Sequence, residues 1–168
     1  KNLKNNKKFK SFKLALGEKN EFKHISFPEW INKFSELENT GLVSLLANTS
    51  VYSEKVKCKK FDDFNLKIPK NSNIFFKADV EGYEINVLKG LRKFIQSHKN
   101  IFFELELNLE ISNYKNKNNF SEILNFFRGY GYKAYCIIKD DINCSHHDII
   151  LLNKKTISQF KDIKVLNL

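Results

Sequence analysis

Several residue types are missing or scarce in this sequence, which contains no methionine and only three cysteines. Without methionine the chain as given has no initiator residue, and we expect it to be a fragment of a longer protein. The cysteines are odd in number and no two are spaced as CxxC, which argues against a disulfide framework and for reduced thiols. No apolar run reaches the roughly 18 residues of a membrane helix, and residues 1–10 are too polar for a signal peptide. We therefore expect a cytoplasmic protein without a membrane span.

Arginine is also nearly absent, since it occurs only at Arg92 and Arg128 although the formal net charge is +10. The positive charge comes from lysines that are spread along the chain beside abundant Asn, Ile and Phe, as AT-rich codon usage would produce. Nucleic-acid surfaces more often combine arginine forks with an aromatic stacking platform. We therefore expect no nucleic-acid partner. A hydrophobic content of 42% over 168 residues suffices for one core and predicts a single domain.

Apolar segments alternate with helical patterns along the chain, which predicts an α/β domain with a mainly parallel sheet. The predicted strands are residues 12–16, 74–80, 101–107, 132–138 and 149–152. Apolar residues at helical spacing over residues 87–95 predict one helix, with Glu84 in its first turn. A capping box of Asn119 and Glu122 begins a second predicted helix, and glycines at 129 and 131 end it.

The remaining segments give weaker signals. Residues 25–60 combine aromatic residues with a polar stretch and are interpreted as an active-site insertion, and residues 1–10 and 154–168 as peripheral ends. The segment Cys144-Ser-His-His-Asp148 invites a zinc interpretation, but it lacks the further ligands that a tetrahedral site needs. We therefore expect no metal.

The most informative residues are Asp79 and Glu81, two acids that close the second predicted strand. Ligands bind at the carboxyl ends of parallel strands, and an unpaired buried carboxylate costs several kcal/mol. The two acids must therefore reach water, a cation, a metal or an array of donors. Gly82 lets the backbone turn sharply or approach a ligand closely. Lys77 shares a strand face with Asp79 and could pair either with it or with Glu104 on the next predicted strand.

The segment Lys77-Ala-Asp-Val-Glu-Gly-Tyr-Glu84, with Val87-Leu-Lys-Gly90 after it, resembles the signature of the FkbM methyltransferases. Further matches lie in the same order as in that family and extend the resemblance over residues 12–153. They are Leu14-Ala-Leu-Gly17, Asn39-Thr-Gly41 with Ser44-Leu45, Phe61-Asp-Asp-Phe64, Phe102-Phe-Glu-Leu105 and Gly129-Tyr-Gly-Tyr132.

The resemblance implies a Rossmann-like class I methyltransferase sheet and S-adenosylmethionine as the cofactor. The implied reaction is methyl transfer to a hydroxyl of a sugar, a polysaccharide or a small metabolite. The candidate catalytic residues are Asp79, Glu81 and Glu104, and which of them is the base stays open. Asp79 and Gly82 are the candidates for cofactor binding, and Lys77 and Asn39 for substrate binding.

A complete domain of this kind starts with a strand, a glycine-rich loop and a second strand that ends in an acid. Nothing before residue 12 resembles these parts, so we expect the sheet to be incomplete on its amino-terminal side. The exposed edge would need a missing amino-terminal segment or a second copy of the chain. Methyltransferase activity is thus expected of the full-length parent, and a catalytically inert remnant or an interaction module is the alternative for this chain. In that alternative Asp79 caps the following helix, Glu81 is a solvated turn residue and Glu104 only pairs with Lys77.

Overall fold

A computed structural model of the chain describes residues 9–26, 45, 53–108, 119–136 and 146–153. This part of the chain forms seven strands, three α-helices and one short 3-10 helix, which confirms the predicted α/β class. The strands are β1 (Ala15–Leu16), β2 (Glu21–Ser26), β3 (Ser53–Lys59), β4 (Ile74–Ala78), β5 (Ile101–Asn108), β6 (Tyr132–Cys136) and β7 (His146–Asn153). The helices are α1 (Glu84–Lys89), α2 (Arg92–Ser97) and α3 (Asn119–Arg128), and the 3-10 helix spans Phe61–Asp63.

The strands form two sheets. The main sheet has the order β4-β5-β7-β6, and the small sheet has the order β1-β3-β2. β4 is parallel to β5, whereas β7 is antiparallel to both β5 and β6, so β4, β5 and β6 all run in one direction. Their carboxyl ends therefore lie at the same edge of the main sheet.

The prediction of a mainly parallel sheet is wrong for the described strands, because three of the five strand pairings are antiparallel. In the main sheet the cause is the connection from β6 to β7, which spans only residues 137–145. A parallel crossover needs about a dozen residues or more, so a connection of this length returns the chain antiparallel.

Two strands, β2 and β3, were not predicted. Their sequences, Glu-Phe-Lys-His-Ile-Ser and Ser-Glu-Lys-Val-Lys-Cys-Lys, hold few apolar residues, and lysines take most of the outward positions of β3. Only Val56 and Cys58 mark its inner face. The region interpreted as an active-site insertion, residues 25–60, thus contains a strand of the small sheet. Apart from Leu45, residues 27–52 lie outside the described part of the chain.

The single helix predicted over residues 87–95 is in fact two helices, which separate at Gly90 and Leu91. Asp62 supplies one reason for the break. Its carboxylate accepts hydrogen bonds from the backbone amides of Lys93 and Phe94, each at 2.9 Å. These are two of the amides that a new helix start leaves without an intrahelical partner, so a side chain distant in sequence caps α2.

Gly90 supplies the other reason. A Cβ on Gly90 would lie 2.2 Å from the carbonyl oxygen of Gly17, which directly follows β1. The two backbones therefore touch, and α1 ends against the small sheet. The backbone amide of Asp62 also donates to the Gly90 carbonyl at 3.0 Å.

The core lies on the face of the main sheet that the three helices cover. Phe103 of β5 is fully buried at its centre, and its ring meets Phe127 of α3 and Tyr132 of β6 edge to face, with centroids 4.8 and 5.5 Å apart. α3 begins at Asn119 as predicted, but the Glu122 carboxylate lies 2.7 Å from Lys89 of α1. The odd-numbered side chains of β5 therefore point into this core, while the opposite face of the sheet carries a smaller apolar cluster of Phe102, Ile150 and Leu152.

Candidate functional site

The candidate site is the turn at the carboxyl end of β4, residues 79–83. The Tyr83 amide donates to the Val80 carbonyl at 3.2 Å, with φ values of 49° at Glu81 and 90° at Gly82 between them. Positive φ at both central positions is the pattern of a type I′ turn. Glycine adopts it freely, whereas Glu81 carries a strain of about 1–3 kcal/mol. The sequence prediction of a sharp turn at Gly82 is confirmed, and the strained residue is Glu81, directly before it.

The two predicted acids differ in their surroundings. Asp79 directly follows the last residue of β4 and its side chain is exposed, whereas Glu81 is half-buried. An exposed carboxylate beside a strained turn is open to a ligand from solvent. The structure therefore leaves the mouth of β4 accessible, as a ligand site at this position requires.

Glu84, which ends the signature segment but was not among the predicted site residues, is the most buried acid near the site. Its side chain is 1% exposed, and its Oε1 accepts hydrogen bonds from the amides of Gly82 at 3.1 Å and Val80 at 3.4 Å. The pKa of Glu84 is raised from 4.5 to about 7, and burial is the largest cause; hydrogen bonds from backbone amides oppose the rise, and the nearby charge of Glu81 adds to it. The carboxyl group is therefore enclosed by the turn that carries Asp79 and Glu81.

A sequence signal for Glu84 exists. Together with Val87, Leu88 and Leu91 it occupies positions i, i+3, i+4 and i+7, which define the apolar face of a helix. An acid on that face is buried with the rest of it, and a buried acid needs hydrogen-bond donors. The helix dipole also favours an acid in a first turn, whichever way its side chain points, so the position of Glu84 alone does not reveal its burial.

Lys77 pairs with Glu104, the second of the two alternatives left by the sequence. The two residues are register partners in the parallel ladder, and Lys77 Nζ lies 2.9 Å from Glu104 Oε1. Their side chains are 50% and 23% exposed, so solvent screens the pair and its contribution stays at or below about 1 kcal/mol. They lie on the sheet face opposite the helices, beside the stacked rings of Phe75 and Phe102.

The described residues include five of the predicted site residues, which lie in two groups. Asp79, Glu81 and Gly82 share one turn, and Lys77 and Glu104 form a pair on the strands that lead to it. Asn39 lies outside the described residues, as does Cys144 of the zinc interpretation. Within the described ranges, no group of three or more His, Cys, Asp and Glu side chains is arranged to hold a metal ion.

The small sheet packs directly behind the turn. A Cβ on Gly17 would lie 2.5 Å from Cys58 Sγ and 3.3 Å from the Tyr83 ring, so these three residues are in close contact. Burial raises the pKa of the Tyr83 hydroxyl, with smaller contributions from Cys58 and nearby acids, and the phenol stays protonated. The Lys23 ammonium lies 5.5 Å from the centre of the same ring. One side of the turn is therefore fixed against β1 and β3, while Asp79 faces solvent.

Comparison with known proteins supports the sequence resemblance. The family model described as the methyltransferase FkbM domain matches residues 1–134, which is most of the chain. The chain therefore belongs to the FkbM methyltransferase family, as the sequence predicted. The family-model match begins at residue 1 and ends within β6, whereas the resemblance read from the sequence begins at residue 12. A search of curated proteins and a search of solved structures each gave no match. Within the described part of the chain, no helix is both long and apolar enough to cross a bilayer.

Proposed function

We propose that the chain is an S-adenosylmethionine-dependent O-methyltransferase that modifies a hydroxyl of a sugar, a polysaccharide or a small metabolite. The observation that carries the proposal is the exposed Asp79 at the carboxyl end of β4, in a chain of the FkbM methyltransferase family. Family membership supports a methyltransferase in general. We propose in addition that the methyl donor is S-adenosylmethionine and that the acceptor is a hydroxyl.

The residues at the turn fit the proposed cofactor because its sulfonium carries a positive charge. Asp79 and Glu81 are two carboxylates within three residues of each other, and the neighbouring backbone at Gly82 lies at φ 90° without a side chain. Carboxylates favour a nearby cation, whereas Gly82 is buried and shapes the turn that carries them. We assign Asp79 and Gly82 to the cofactor, Asp79 by contact and Gly82 through the conformation of the turn.

The cofactor, when bound, supplies an activated methyl group to an acceptor oxygen in an in-line displacement. A carboxylate of this chain would take the hydroxyl proton as the methyl group passed from the sulfonium sulfur to the acceptor oxygen. Asp79 and Glu81 are the carboxylates at the turn that could take it. Glu104 Oε1 accepts a hydrogen bond from Lys77 Nζ at 2.9 Å. Together Lys77 and Glu104 are suited to orienting the polar acceptor.

The charge difference between the methyl donor and its product tests this assignment. S-adenosylhomocysteine lacks the sulfonium charge, so Asp79→Asn should weaken the binding of S-adenosylmethionine about tenfold more than that of S-adenosylhomocysteine. Titration calorimetry of both ligands measures the difference. Glu122→Gln, which removes one negative charge from α3, is the matched control and should change neither affinity. Equal weakening of both ligands by Asp79→Asn would remove Asp79 from the sulfonium site, and a folded wild-type chain that binds neither ligand would refute the proposed function for this chain.

We also infer a cytoplasmic site of action. Cys58 is a buried free thiol in the described structure, which fits a reducing compartment. Fractionation of cells that produce the full-length protein, with the thiol state of Cys58 measured by alkylation, would test the inference.

A further inference from the structure

We propose that Glu84 is a positioning residue, whose carboxylate holds the turn of residues 80–83 in the conformation that presents Asp79 and Glu81. Its geometry is the basis of the proposal. One oxygen, Oε1, accepts from the amide that enters the turn at Val80 and from the amide at Gly82 within it. The turn therefore closes around the side chain of the residue that follows it.

The turn needs such a support because its own conformation is unfavourable. Glu81 has a φ of 49°, which residues other than glycine rarely adopt. Glu84 meets this need from within, since the hydrogen bonds to its carboxylate are charge-assisted and stronger than those to a neutral acceptor.

Burial separates the role of Glu84 from that of the catalytic candidates. With 1% of its surface exposed, the Glu84 side chain cannot meet a ligand that reaches the turn from solvent. Asp79, by contrast, is exposed. Any effect of Glu84 on a reaction at this turn must therefore pass through the turn itself, and its catalytic consequence rests on the proposed function.

The protonation of Glu84 should then control how firmly the turn is held. Its pKa lies at about 7, and Glu81 is the charged side chain that acts on it. Above that pH the carboxylate accepts both amides as an anion, and below it the neutral acid is a weaker acceptor. The order of the turn is therefore expected to increase as the pH rises through the neutral range.

Hydrogen exchange on a matched pair of variants tests the proposal without an activity assay. Glu84→Gln keeps a side-chain oxygen at the position of Oε1, whereas Glu84→Met has a similar size and no acceptor. We expect the Val80 and Gly82 amides to exchange about 10- to 100-fold faster in Glu84→Met, and Glu84→Gln to restore most of the protection. In the wild type, protection of the two amides relative to intrinsic exchange should rise between pH 6 and 8, and in Glu84→Gln it should not. Unchanged protection in Glu84→Met would overturn the proposal.

Kinetics of the full-length protein then tests the catalytic consequence. Glu84→Met should lower kcat at least tenfold with little change in KM for the methyl donor, and Glu84→Gln should recover most of kcat but lose the rise with pH near neutrality. An equal loss in both variants with normal amide protection would overturn the positioning role. A wild type that orders the turn as described but transfers no methyl group would refute the proposed function and leave the structural role of Glu84 intact.

Discussion

Gly90 offers a demanding test of how the two sheets are joined. A Cβ at this position would lie 2.2 Å from the Gly17 carbonyl oxygen and 3.1 Å from its carbonyl carbon. Both partners are backbone atoms, so no side chain can rotate away. The φ and ψ of Gly90, −77° and −7°, are ordinary for alanine. An alanine here would normally be favoured by about 0.5–1 kcal/mol, and any loss of stability must come from the contact.

The size of the loss follows from the overlap. Real Cβ atoms essentially never come within 3.0 Å of such an atom, so β1 or the end of α1 must move by about 1 Å. Overpacking of this kind costs about 1–3 kcal/mol and occasionally more. The shift would also weaken the 3.0 Å hydrogen bond from the Asp62 amide to the Gly90 carbonyl. For Gly90→Ala we therefore expect the free energy of unfolding to fall by about 2–3 kcal/mol, and Tm by about 4–12 °C.

Urea unfolding followed by far-ultraviolet circular dichroism measures this change, and Gly129→Ala is the matched control. A Cβ on Gly129 would meet its nearest atom, the Phe126 carbonyl oxygen, at 3.4 Å, which is an ordinary contact. This variant should stay within about 0.5 kcal/mol of the wild type or gain slightly. A Gly90→Ala protein as stable as Gly129→Ala would show that the backbones of β1 and α1 do not touch.

Two further predictions concern carboxylates. Because the folded pKa of Glu84 is raised from 4.5 to about 7, its contribution to stability is fully present below pH 4.5 and is lost as the pH rises through 7. Relative to Glu84→Gln, the wild type should therefore lose about 3 kcal/mol of unfolding free energy between pH 4.5 and 8, and parallel curves from denaturant titrations of the two proteins would contradict the burial of the acid. Asp62→Ala should cost about 1–2 kcal/mol because Asp62 caps α2 through the amides of Lys93 and Phe94, and Asp62→Asn should cost less because it keeps an acceptor. Equal losses in the two Asp62 variants, measured by urea unfolding, would show that charge rather than capping matters there.

Ionisation of Glu84 should have opposite effects on the stability of the whole fold and on the order of the turn. The ionised carboxylate is the better acceptor for the amides of the turn, yet it is the form that burial penalises. The chain should be globally less stable at the pH at which its candidate site is best ordered. Active sites commonly retain groups that lower the free energy of unfolding, because the rest of the fold is stable enough to tolerate them.

The sequence predicted well the elements whose pattern is local. β4, β5 and α3 lie where the apolar runs and the capping signal predicted them, because a buried strand or helix face requires apolar residues at a regular spacing. The turn at Gly82 was also predicted, since an acid followed by glycine after a buried strand usually forms a turn.

The misses share a physical cause, namely dependence on partners distant in the sequence. The break between α1 and α2 is fixed by Asp62 and Gly17, which lie outside the helical segment. β3 carries lysines at its outward positions, so its strand character rests on its pairing with β1 and β2 and not on its own composition. Glu84 was missed for a related reason, because its role depends on the backbone of the turn that wraps around it.

The position of β7 has a consequence for how the chain is made. β7 is the last described strand in the sequence, yet it lies between β5 and β6 in the main sheet. As the chain leaves the ribosome, β6 emerges before the strand that becomes its neighbour exists. β6 and β7 should therefore reach the nascent sheet together, as an antiparallel pair that docks on the edge of β5, and until then that edge needs protection from other chains.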